Sequence, residues 1–276
     1  ILRSDRLTQG PAIDRFERLV AAYCGAAHAV SANSATSVLH LACRALGLGP
    51  GDLLWTSPNT FVASANCALY CGAAVDFVDI DPDTYNMSIV ALRAKLEQAK
   101  RDNRLPKFVV PVHFSGQPCD MPAIAELARH YGFFVVEDAS HAIGARCRGQ
   151  PVGNGEHADV AVFSFHPAKI VTTGEGGMAV TSNPELARRM RLLRSHGVIR
   201  DAADMEEPNH DPWYYEQIDL GYNYRLTDIQ AALGESQMKR LPAFLARRRE
   251  LASRYDRLLA GLPLRSPYQE VWAESA

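Results

Sequence analysis

The 276-residue chain contains no apolar run approaching the roughly 20 residues that a membrane-spanning helix needs. Its opening, ILRSDRLTQGP, lacks the basic-then-apolar pattern of a secretory signal, and it starts on Ile1 rather than Met, so the natural chain is expected to begin earlier. Neither sign of charge dominates: Lys+Arg number 29 and Asp+Glu 31, for a net charge of -2. That balance removes the electrostatic case for nucleic acid or an anionic membrane as partner and favours a soluble, cytoplasmic protein. No two of the six cysteines form a CxxC pair. Cys24, Cys43, Cys67, Cys71, Cys119 and Cys147 suit scattered core positions in a reducing compartment. Cys67 and Cys71 have helical spacing, but nothing nearby completes a metal site. The glycine-rich nucleotide turns are missing too. There is no GxGxxG and no GxxxxGK[ST], and GEGG at 174–177 has the wrong spacing, which argues against a dinucleotide oxidoreductase. Internal repeats and low-complexity tracts are absent.

What is present is a regular alternation. Short apolar, β-branched runs at 28–33, 52–58, 74–80, 107–114, 133–140, 159–165 and 177–182 predict strands. Several are apolar on both faces, as in a parallel sheet covered by helices. Helical periodicity fills the intervals at 12–24, 35–47, 60–72, 87–101, 121–132 and 183–197, and returns at 226–241 and 242–262. The 183–197 stretch opens with Asn183 as N-cap and Pro184 at the first helical position, and closes on Gly197. The expected fold is α/β and doubly wound. From about 198 to 224 the pattern lapses into an acidic, then aromatic segment whose length marks it as functional or mobile. Arg247 to Arg249 suit a solvated helix face.

In an open α/β sheet, ligands gather outside the carboxyl ends of the strands. Three polar clusters are expected there. SANSATS (31–37) ends a strand and opens a helix; Ser34, Ala35 and Thr36 could cradle a phosphate, or Asn33 or Ser34 could simply cap the helix. VVEDASHAIGA (135–145) places Glu137 and Asp138 at the end of a buried strand, with His141 following. Such an aspartate could ligate a metal, sit in a local hydrogen-bonded cap, or face a cation such as a protonated ring nitrogen. FSFHPAKIVTTGEGG (163–177) carries Ser164 and Lys169 out of a strand into a turn; Lys169 is either a loop lysine or a Schiff-base former. A phosphate cradle, a carboxylate for a cationic ring nitrogen and an imine-forming lysine together are what pyridoxal phosphate requires.

At these residues the sequence resembles the sugar-nucleotide aminotransferases of the DegT/DnrJ/EryC1/StrS family, which are fold-type I pyridoxal phosphate enzymes. The likeness runs through NSATS, PNTFVAS, PVHFSGQPCDM, VVEDASHAIGA, FSFHPAKIVTTGEGGMAVT, LRSHG and LGYNYRLTDIQAALGESQMKRL, in family order and over nearly the whole chain. It implies that Lys169 holds the cofactor and shuttles a proton, and that the cofactor passes through its pyridoxamine form. Asp138 would pair with the ring nitrogen, and His141 would stand near the ring hydroxyl, where many members carry Gln. Ser164 would join the Ser34–Ala35–Thr36 turn on the phosphate. Phe61 would lie against the ring unless it is a core residue of its helix. Asn223 would reach the phosphate from the partner subunit of a homodimer, making 198–224 a crossing arm. Thr8, Gln9, Asn59 and His166 would face the substrate. Dehydratases of the family replace the lysine by His, so Lys169 implies transamination.

Within the family, SFHPAKIVTTGEGG and WYYEQIDLGYNYRLTDIQAALG resemble most the members of pseudaminic acid synthesis. Those aminate the 4-keto carbon of a UDP-linked 4-keto-6-deoxy sugar with L-glutamate as donor. A different nucleotide-linked keto sugar, or a truncated, non-catalytic cofactor-binding relative, is the alternative; a nucleotide-binding α/β protein of another class would carry no yellow cofactor. The family implies three parts: a substrate-side segment at 1–11, a large cofactor-binding domain at 12–241, and the start of a small C-terminal domain at 242–276 that continues beyond Ala276.

Overall fold

The computed structural model describes residues 1–201, 205, 211 and 213–276. The seven predicted strands all form, and they make one sheet. They are β1 (His28–Ala32), β2 (Leu53–Thr56), β3 (Ala74–Phe77), β4 (Phe108–Val110), β5 (Phe134–Asp138), β8 (Val160–Ser164) and β9 (Gly177–Thr181). Their order across the sheet is β1-β9-β8-β5-β4-β2-β3. Strands β3, β2, β4, β5 and β8 pair in parallel, while β9 runs antiparallel to both β8 and β1. The predicted strand at 107–114 is cut short because Pro111 has no N–H to give the ladder. Its carbonyl still accepts from Asp138 N–H, and Val112 resumes the pairing opposite Asp138.

Among the described residues, eight α-helices surround the sheet: α1 (Pro11–Cys24), α2 (Ala35–Ala45), α3 (Ala63–Tyr70), α4 (Ile89–Arg101), α5 (Met121–Tyr131), α6 (Pro184–Arg194), α7 (Asp228–Met238) and α8 (Leu241–Leu259). The strand side chains alternate between two cores, which explains their two-sided apolar runs. Val160 and Val162 of β8 pack with α2, α3 and α6, whereas Ala161 and Phe163 pack with α1, α7 and the start of α8. Trp55, Val109 and Val135 form a third core with α4 and α5. The fold is therefore mixed α/β, a mostly parallel sheet with helices on both faces.

Helix ends follow local chemistry. Asn183 caps α6 by accepting from Glu185 and Leu186 N–H, with Pro184 at the first position as predicted. The helix ends at Arg194, and Gly197 supplies a left-handed turn (φ 68°) beyond it. A buried charge cluster ties α1, β1 and α6 together: Glu17 accepts from Ser31 N–H and O–H (2.8 Å each) and from Arg194 Nη1 (2.7 Å).

Two-residue strands escape sequence patterning altogether. β6 (Arg146–Cys147) and β7 (Gln150–Pro151) form a hairpin, and β12 (Ala273–Glu274) pairs with β6. β10 (Val198–Ile199) pairs with β11 (Glu216–Gln217), so the ends of the aperiodic segment meet. Its acidic part at 202–204, 206–210 and 212 lies outside the described residues, and with it nine residues of the expected crossing arm at 198–224. Among the described residues no helix is long and apolar enough to cross a membrane.

Candidate active site

The carboxyl ends of β1, β5 and β8 lie on one edge of the sheet, and β9 starts there because it runs the other way. Ser164 and Ala32 both pair with Gly177. Each strand end carries one of the three polar clusters to this edge. A cavity of about 410 Å³ opens between them. Its wall includes Ser34, Ala35, Thr36, Phe61, Asp138, His141, Ser164, His166 and Lys169. Nine of the thirteen sequence-derived candidates thus meet in one place.

Lys169 sits on the loop that joins β8 to β9. Phe165 N–H donates to Gly176 O, and Thr173 N–H and Thr172 O–H both donate to Phe165 O. These bonds close the loop at its base and leave residues 166–172 as its tip. Lys169 N–H bonds His166 O (2.9 Å), which orients that tip over the cavity. Burial pushes the Lys169 amine below the ordinary lysine range, against the opposing pull of the Asp138 charge. A depressed amine is more often neutral, and only the neutral form is a nucleophile.

Of the two carboxylates ending β5, only Asp138 faces the cavity. Glu137 points to the other side of the sheet and accepts from His113 Nε2 (2.6 Å). Nδ1 of that ring accepts from Cys119 N–H, which places the ring proton on Nε2. Asp138 is 4% exposed. Its Oδ1 accepts from Ser140 O–H (2.6 Å) and N–H (3.1 Å), and its Oδ2 from Ser64 O–H (2.6 Å). His141 lies beside it on the wall. Burial pushes that imidazole down, the Lys169 charge adds to the effect, and Asp138 opposes it.

At α2, Ser34 is both cap and cavity wall. Its Oγ accepts from Ser37 N–H (3.1 Å), and Asn33 Oδ1 accepts from Ser37 O–H (2.7 Å). The first N–H groups of a helix have no partner within it, so the Ala35–Thr36 turn presents donors and the positive end of the helix dipole to an anion. Ser164 is 7% exposed at the end of β8 and adds a hydroxyl.

The other four candidates lie elsewhere in the chain. Asn59 lines a shallow depression with Tyr85 and Phe114. Thr8 pairs with Thr227, and Gln9 lines a separate basic cavity with Arg191, Arg200 and Arg225. Asn223 of the same chain pairs with Ser195. Phe61 corrects one expectation. The helix predicted from 60 begins only at Ala63, so Phe61 is no core residue; it is 71% exposed at the cavity mouth.

Thr60, Ser64 and Ser140, which surround Asp138, carry no sequence-derived assignment. Thr60 and Ser140 also line the cavity. The usable signal was the i, i+4 spacing of Thr60 and Ser64 within PNTFVAS, but a small hydroxyl residue inside an expected helix attracts no attention by itself.

Comparison with known proteins agrees with this geometry. The chain is 42% identical over 256 residues to the UDP-4-amino-4,6-dideoxy-N-acetyl-beta-L-altrosamine transaminase of Campylobacter jejuni, covering 93% of this chain and 64% of that protein. It is also 42% identical over 253 residues to the GDP-perosamine synthase of Caulobacter vibrioides, covering 92% and 63%. The chain therefore spans less than two thirds of the length of these relatives. Among solved structures, Spr1654 from Streptococcus pneumoniae in its PLP form superposes with a TM-score of 0.83 at 30% identity, covering 99% of this chain and 71% of that one. Strand order, the cavity at the carboxyl edge and the three motif clusters converge with a family match over residues 1–275, and the chain belongs to the DegT/DnrJ/EryC1/StrS aminotransferase family.

Proposed function

We propose that the protein is a pyridoxal phosphate-dependent aminotransferase that moves an amino group from L-glutamate to the 4-keto carbon of a UDP-linked 4-keto-6-deoxy sugar, in the synthesis of pseudaminic acid or a related surface glycan. The observation that carries the reading is the convergence of Lys169, Asp138 and the first turn of α2 on one cavity. The donor set suits the cofactor: a partly desolvated amine for its aldehyde, an acceptor-only carboxylate for its ring N–H, and helix N–H groups with hydroxyls for its phosphate.

Bound pyridoxal phosphate supplies an aldehyde for the amino group and a cationic ring that takes up the electron pair released at the amino carbon. Lys169 Nζ would hold the cofactor through its aldehyde, with release of water, and its freed amine would carry the proton during transfer. Asp138 accepts the ring N–H and keeps that nitrogen protonated. Ser34, the Ala35 and Thr36 N–H groups and Ser164 take the phosphate. Phe61 covers the ring at the mouth, and His141 bonds near the ring hydroxyl. Leu39, Ala63 and Val112 keep the lining apolar, which limits water at the reacting atoms. Glutamate leaves as 2-oxoglutarate before the keto sugar enters, so ping-pong kinetics are expected.

Further parts of the reading are a cytoplasmic homodimer whose partner contributes Asn223, substrate contacts at Thr8, Gln9, Asn59 and His166, and division into residues 1–11, 12–241 and 242–276. The test is Lys169→Ala: turnover disappears, and borohydride no longer fixes the cofactor to the chain. Retained turnover in the purified variant would sink the assignment. Equal identity to a GDP-sugar enzyme favours a second reading, in which the sugar is linked to a different nucleotide. NMR of products formed from UDP- and GDP-linked 4-keto-6-deoxy sugars separates the two.

A further inference from the structure

We propose that Thr60 and Ser64 are positioning residues, forming an ordered chain of hydroxyls that runs from the cavity wall to the Asp138 carboxylate and fixes its orientation. The inference deepens the proposed function and rests on it for the identity of the ligand.

Ser64 is 0% exposed, in the first turn of α3. Its hydroxyl donates to Asp138 Oδ2 at 2.6 Å, across 74 residues of sequence. Ser140 gives both its N–H and its O–H to Oδ1, so the carboxylate acts as the acceptor throughout. A serine has one hydroxyl proton. With that proton on Asp138, the 2.8 Å contact between Thr60 Oγ1 and Ser64 Oγ has one assignment: Thr60 donates and Ser64 accepts. The protons therefore point in one direction, from Thr60 to Ser64 to Asp138. Thr60 itself lines the cavity.

Both carboxylate oxygens are tethered, and from different elements. Oδ2 is held from α3 and Oδ1 from the loop after β5. Rotating the carboxyl plane would break a charge-assisted bond on one side or the other. Asp138 N–H is itself held by Pro111 O, so the backbone beneath the side chain cannot swing to compensate. Asp138 lines the cavity, where a ring N–H would meet a carboxylate whose plane is already fixed.

The experiment is a pyridoxal phosphate titration of wild type, Ser64→Ala, Ser64→Thr, Thr60→Val and Thr60→Ser, read by visible absorbance and visible circular dichroism. Loss of a hydrogen bond to a charged group predicts about 10- to 100-fold weaker binding in Ser64→Ala and a reduced dichroic band. Ser64→Thr, which keeps the hydroxyl, recovers most of both. Thr60→Val acts at one remove, with about 3- to 10-fold weaker binding, and Thr60→Ser restores it. A purely structural role would lower the melting temperature of the cofactor-free protein without changing the dichroism of bound cofactor. Wild-type binding and dichroism in both Ser64→Ala and Thr60→Val would overturn the relay alone, as would failure of both hydroxyl-bearing variants to recover. If Ser64→Ala does not fold, the Thr60 pair decides by the same criteria. No cofactor uptake by wild type would overturn the proposed function, and this inference with it.

Discussion

A Cβ added to Gly177 would lie 2.5 Å from the backbone nitrogen of Ala35. Gly177 is the first residue of β9, and Ala35 is the first of α2, so the missing side chain lets the helix start rest directly on the sheet edge. Here the glycine is required by close approach, since the atoms it would strike are backbone and cannot rotate away.

Gly177→Ala should therefore displace the first turn of α2 while leaving the sheet intact. Affinity for pyridoxal phosphate, or for inorganic phosphate as competitor, is expected to fall at least about tenfold, with about 1–3 kcal/mol of stability lost to overpacking. Titration checks the first effect and urea unfolding the second. Unchanged affinity would show that the helix start does not need this contact.

Asp228 does for α1 what Gly10 cannot. It sits at the first position of α7 with 0% exposure, and accepts from Gly10 N–H (2.7 Å) and Ala12 N–H (3.0 Å). Its own N–H bonds Leu7 O, pinning the opening segment. Asp228→Ala strands two buried donors and should cost about 2–4 kcal/mol. Asp228→Asn, which keeps one acceptor oxygen, should fall between. A urea midpoint shift equivalent to less than about 0.5 kcal/mol would contradict this capping role.

His40 sets an acid limit. It lies 4% exposed on α2 among Tyr70, Tyr222 and Tyr224, with ring centroids 5.5, 4.7 and 6.0 Å away. Burial pushes its pKa down to about 4, and the Arg44 charge adds to the effect. The unfolded chain takes up this proton first as pH falls. Stability from His40 is thus complete above about pH 6.5 and is lost between there and about pH 4, by at most about 1.4 kcal/mol per pH unit. Urea unfolding across that range should be steeper for wild type than for His40→Gln. Parallel profiles would remove His40 as the source.

Much of this molecule is legible from local pattern. Several sheet strands are short runs such as VAVFS, apolar on both faces, and hydrophobic burial leaves such a run few places except between two helical layers. The three clusters at strand ends could be gathered because parallel strands deliver their carboxyl ends to one edge. The short strands β6, β7 and β12 could not be read, because two residues show no periodicity. The start of α3 was misplaced because Phe61 fits a helical face as well as it fits a cavity mouth.

By itself, the sequence determined which residues must be buried and which chemical groups sit at chain reversals, since burial and capping depend on neighbours a few positions away. Only the tertiary structure decided that Ser64 meets Asp138, and that Glu137 meets His113 on the other side of the sheet. Those meetings depend on the strand order β1-β9-β8-β5 and on the packing of α3 above it, which join residues tens of positions apart through contacts that leave no periodic trace in the chain.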